Sequence, residues 1–104
     1  MAVIGACHGH IHLLVSFTDQ GVRNAKDTSK RADAFKAMAK KCGATVKELF
    51  WAQGRYDIVC ILEAADDLAI TSLALSVGSL GNVRTETLRL FTPADMKKII
   101  DKMV

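Results

Sequence analysis

Five consecutive residues, Ile58, Val59, Cys60, Ile61 and Leu62, are apolar. In a strand, successive side chains point to opposite faces, so this run presents apolar groups both ways and needs cover on both sides. One layer can come from the chain's own helices. The other has to come from somewhere else.

The neighbouring segments supply the rest of the layout. Ile11, Leu13, Val15 and Phe17 alternate with His10, His12, Leu14 and Ser16, which predicts a first strand. After the polar turn Thr18–Gly21, the spacing of Ala32, Phe35, Met38, Ala39 and Cys42 predicts a helix capped from Asp27, Thr28 or Ser29 and closed by Gly43. Residues 45–53 and 56–63 read as a hairpin broken at Gly54-Arg55. Asp66 or Asp67 opens a second helix carrying Leu68, Leu73, Leu75 and Val77. A fourth strand runs from Val83 to Phe91, and Thr92-Pro93 opens a terminal helix with Met96, Ile99, Ile100 and Met103 in one stripe.

The order βαββαβ is the ferredoxin-like, split βαβ pattern of the α+β class, here with an extra C-terminal helix. Its helices cover one face of an antiparallel sheet. The other face is expected to be covered by a second copy of the chain, because an isolated sheet leaving Ile58, Cys60 and Leu62 exposed would aggregate. The 104 residues give room for one core, so a single domain is expected over 1–104, with 1–9 as an N-terminal arm and 93–104 as a docking helix.

Composition narrows the partners. The chain is 50% hydrophobic and 24% charged, enough apolar material for a core, and only 6% aromatic, which leaves little surface for stacking bases. The net charge of +3 is spread along the chain, with Lys36, Lys40 and Lys41 on a solvated helix face, so no nucleic-acid partner is expected. No apolar run approaches bilayer length, and residues 1–7 lack the features of a secretory signal. No membrane partner is expected, and a cytoplasmic location is. There Cys7, Cys42 and Cys60, an odd set with no CxxC pair, would remain thiols.

Three blocks, Phe17-Thr18-Asp19-Gln20-Gly21, Gly54-Arg55-Tyr56-Asp57 and Gly78-Ser79-Leu80-Gly81-Asn82-Val83-Arg84-Thr85-Glu86-Thr87, together resemble the GYD domain family from about His12 onward. The resemblance implies a dimeric α+β barrel in which two such sheets face each other. The family has no generally assigned activity. The Gly-x-Tyr-Asp turn is also similar to that of the ligand-binding domains of the leucine-responsive regulator family, where small effectors bind at subunit contacts.

Candidate site residues follow from chemistry. In an extended chain His8, His10 and His12 share a face, and neighbouring pairs could share a transition metal at Zn–N distances of about 2.0 Å. A site on His10 and His12 would need a third ligand, such as Glu63, Glu86 or the same pair from a second subunit. The bland alternative is an N-terminal arm with solvated histidines, and no cofactor is expected in that case. Gly54 can take the positive φ of a tight turn, beside which Asp57 either bonds backbone N–H groups or joins a site, and Tyr56 either packs or reaches a polar partner. Arg84 and Glu86 either pair with each other on a partly buried strand or line a cleft together with His12, Trp51 and Tyr56. No nucleophile, phosphate loop or paired-carboxylate motif stands out. The expected function is a small oligomeric domain binding a small organic ligand in a cleft between subunits. The alternative is a small-molecule enzyme of the dimeric α+β barrel type, a cofactor-free monooxygenase or isomerase, or a histidine-based metal site.

Overall fold

The computed structural model describes residues 9–104; the expectations for Cys7 and His8 lie outside them. The described chain forms β1 (Gly9–Phe17), α1 (Asp19–Arg23), a 3₁₀ turn (Ala25–Asp27), α2 (Thr28–Cys42), β2 (Ala44–Trp51), β3 (Ile58–Ala64), α3 (Asp67–Gly78), β4 (Val83–Leu90) and α4 (Pro93–Asp101). The strands make one antiparallel sheet in the order β2-β3-β1-β4. This is the expected ferredoxin-like arrangement with one helix more.

The alternation of β1 and β3 decides the core. Ile11, Leu13 and Val15 join Ile58, Cys60, Leu62 and Ala64 beneath the helices, where Phe35 and Ala39 of α2 and Ile70 and Leu73 of α3 cover them. Leu13, Leu62 and Leu73 are fully buried, and truncating any of them to Ala removes about 2–5 kcal/mol. The side of β3 left open therefore carries Val59 and Ile61, and the expectation that Ile58, Cys60 and Leu62 face outward is corrected. Helices α2 and α3 lie against the side that carries Ile58, Cys60 and Leu62.

Three caps follow the sequence, whereas Asp27, the N-cap of α2, makes no side-chain capping bond. The Asp66 side chain accepts from the Ala69 N–H at 2.9 Å, and Gly43, at φ 96°, ends α2. Thr92 and Asp95 form a reciprocal capping box around Pro93, with bonds of 3.0 Å each way. That bond from the Thr92 backbone holds the Asp95 carboxyl below its ordinary range. Local differences from the sequence reading are instructive. Residues 19–23 and 25–27 are helical where the sequence reading has a polar turn and loop, and the β2–β3 break spans residues 52–57 rather than two. A bulge between Val46 and Glu48 shifts the β2 register, an irregularity that leaves no periodic signature.

The three recognised blocks converge on the end of β1. The Asp57 carboxylate accepts from the Phe17 N–H at 2.8 Å, while the Asp57 N–H donates to the Val15 carbonyl at 2.8 Å. Thr18 donates its N–H to the Asn82 carbonyl at 3.0 Å and its hydroxyl to the Gly81 carbonyl at 2.6 Å. Gly21 then passes so close to Asn82 that an added Cβ would sit 2.0 Å from the Asn82 carbonyl oxygen. Among the described residues, no helix is long and apolar enough to cross a membrane.

Two glycines should respond differently to alanine. Gly21→Ala drives a methyl into backbone and should cost at least 1–3 kcal/mol, roughly the scale of an overpacked site. Gly78→Ala meets nothing within 4 Å and should leave stability unchanged or raise it by up to about 1 kcal/mol. Gly54→Val, at φ 116° with open space around it, should cost about 1–3 kcal/mol through backbone strain alone. Urea midpoints of the three variants check the set. Equal midpoints would contradict the close approach at Asn82.

Candidate functional site

Register fixes which residues share the open face. Reading across the sheet, one row runs Phe50, Val59, Leu14, Glu86, and the next runs Glu48, Ile61, His12, Leu88. A third runs Thr45, Glu63, His10, Leu90, and Arg84 lies beyond Ser16 at the opposite end. The centre is apolar and the margin charged. Phe50 and Leu88, both well exposed, extend the apolar strip to both edge strands.

Of the residues singled out from sequence, His12, Arg84 and Glu86 stand on this face. Tyr56 joins them from the β2–β3 loop, where the neighbouring Glu86 carboxylate is the main cause raising its phenol above the ordinary pKa. The Arg55 guanidinium lies 5.4 Å from the Tyr56 ring centroid and works the other way. Asp57 is spent on the β1 backbone. Trp51 is not with the group, because it pairs with Ile58 and so points to the helix side, where its indole N–H donates to the Thr28 hydroxyl at 3.0 Å. The bulge at Val46/Glu48 is what makes this parity unreadable from sequence.

His10 and His12 lie two residues apart on one strand, about 6.6 Å by strand rise. His10 Nδ1 is 3.9 Å from a Glu63 carboxylate oxygen, on partly exposed side chains. Among the described residues, no three His, Cys, Asp or Glu side chains converge as metal ligands.

A cavity of about 90 Å³ lies elsewhere, between the helix side of the sheet and helices α2 and α3. Phe35 and Met38 of α2, Val77 of α3, and Leu49, Ile58 and Val83 of the sheet form its apolar wall. Its polar lining is Thr28, Arg31, Asn82 and Thr85, all partly exposed. Arg31 donates to the Asn24 carbonyl at 2.8 Å and reaches the Gly21 carbonyl at 3.4 Å, tying α2 to the segment that closes over this rim. None of His12, Trp51, Tyr56, Asp57, Arg84 and Glu86 lines the cavity. Sequence reasoning missed its lining because those residues carry only an ordinary core pattern; the small Ala32 and Ala34 on α2, which leave the space, are the one available hint. Cys60 also borders it, and burial pushes its thiol up to about 11, far from a nucleophilic thiolate.

An antiparallel ferredoxin-like sheet with these three interlocked blocks defines the class. The GYD domain family model matches residues 13–100, and the chain belongs to the GYD domain family. No curated protein and no solved structure matches the chain.

The Asp57 bonds explain one family block without a ligand. Asp57→Ala strands the Phe17 N–H and removes a charge-assisted bond, so stability should fall by about 1.5–3 kcal/mol. Thermal unfolding measures this. A melting temperature equal to that of the parent chain would mean that the carboxylate has another task.

Proposed function

We propose that this GYD domain is a homodimeric module that binds a compact, mostly apolar small molecule within each subunit, between α2, α3 and the sheet. The observation that carries the reading is the cavity of about 90 Å³ with its apolar wall and polar rim. A cavity needs only about 10–15 Å³ to admit one water, but each buried water needs two to four polar partners, which this wall lacks. An apolar guest meets no such penalty. The ring or alkyl part of a ligand would lie against Phe35, Met38 and Val83, and a single polar group could meet Thr28, Arg31 or Asn82. Among the described residues the lining holds no carboxylate or imidazole to act as general acid or base, which favours binding over proton-transfer chemistry.

The dimer part of the reading rests on the open face. Leu14, Val59, Ile61, Leu88 and Phe50 form a contiguous apolar strip on a sheet whose other side is already covered. A second copy meeting it face to face would cover the strip, while His12, Tyr56, Arg84 and Glu86 would set the register through their polar groups.

Benzene and indole serve as probes for the cavity. Methyl NMR should show saturable shifts at Leu49, Ile58, Val77 and Val83, and these should disappear in Ala32→Leu, whose added carbons fill the space. Absence of any shift at millimolar probe would end the cavity reading. For assembly, light scattering should give a multiple of the 11.3 kDa chain mass, falling to 11.3 kDa in Ile61→Lys. A parent chain already at 11.3 kDa at micromolar concentration would refute the dimer.

A further inference from the structure

The terminal helix α4 is amphipathic and buries none of its residues, Ile99 being only half-buried. Met96, Ile99 and Ile100 of α4, with Met103 two residues past its end, follow i, i+3, i+4, i+7 spacing. Met96 is 42% exposed, Ile100 56% and Met103 71%. Among the described residues no element packs extensively against the helix. A nine-residue helix is marginal alone in water, so its order has to come from docking. The capping box only fixes where it starts.

We propose that α4 is an intersubunit clasp: its apolar stripe docks on a second copy of this chain, at the end of the open sheet face that carries His10, Glu63 and Leu90. The inference rests on the reading that a second copy covers that face, and it names the element that secures it. Two observations select this occupant. The first is continuity: α4 leaves the sheet directly after Leu90, at the same end as His10 and Glu63, so a copy seated on the open face comes within immediate reach. The second is charge. On a 100° wheel Lys97 borders the stripe on one side and Asp95 and Lys102 on the other, with Asp95 held in the capping box, and on the open face Glu48 and Glu63 lie beside Ile61. Outside the capping box the charges beside the ridge are thus lysines, and the carboxylates beside Ile61 are their complement. Met96 and Met103, unbranched and adaptable, suit a contact on a pleated surface. Lys98 and Asp101 point away from the stripe and stay in water.

Zero-length carbodiimide coupling tests the contact on the full chain. Copies labelled with ¹⁴N and ¹⁵N are mixed, unfolded, refolded together and cross-linked. Mixed-isotope peptides joining Lys97 or Lys102 to Glu48 or Glu63 are the expected result. In parallel, Ile100→Glu, at a site exposed on its own subunit, should raise the dimer dissociation constant at least tenfold, and Lys98→Gln should leave it unchanged. A dimer that gives only same-isotope links and keeps its dissociation constant in Ile100→Glu overturns the clasp while leaving the face-to-face dimer standing. A parent chain that is monomeric at micromolar concentration overturns both.

Discussion

Everything near the rim of the cavity depends on how the end of β1 is held. Phe17 and Thr18 are tied to two segments far along the chain, Asp57 on one side and Gly81-Asn82 on the other. These bonds use backbone groups that would otherwise be unpaired where the strand leaves the sheet. They also position Gly21 against Asn82, and the Arg31 bonds then draw α2 to the same corner. The cavity rim is therefore assembled from four stretches of sequence that meet only in the folded chain. A motif dense in Gly, Asp, Thr and Asn, which reads like a ligand loop, serves here to lock loops to a strand.

The sheet divides the molecule's tasks. Its helix side holds a core with an apolar recess, and the buried Cys60 there is kept as a neutral thiol. Its open side gathers several titratable residues, with Tyr56 near Glu86 at one end and His10 near Glu63 at the other. A polar margin around an apolar strip is the usual anatomy of a surface that meets another protein. A small-molecule pocket has the inverse balance, mostly apolar walls with few polar groups, which is the character of the recess under α2 and α3.

Much of the architecture was legible because it rests on local rules. The alternation through Ile11–Phe17, the helical spacing from Ala32 to Cys42, and the Thr92-Pro93 start of α4 each announce an element without reference to the rest of the chain. The site was less legible. Arg84 and Glu86 share a face as their two-residue spacing on one strand requires, but that His12 joins them and Trp51 does not depends on register and on a one-residue bulge. Asp57 had two open readings that only its partner, the Phe17 N–H, distinguishes.

The sequence by itself determined the order of elements, several of their caps and the need for cover on both sides of β3, since these follow from periodicity and from residues acting on their near neighbours. Only the tertiary structure decided which side of β3 lies under the helices, where the cavity opens, and that α4 buries no residue on its own subunit. Those outcomes depend on strand register and on distances between residues forty or sixty positions apart. A one-dimensional pattern carries no record of either.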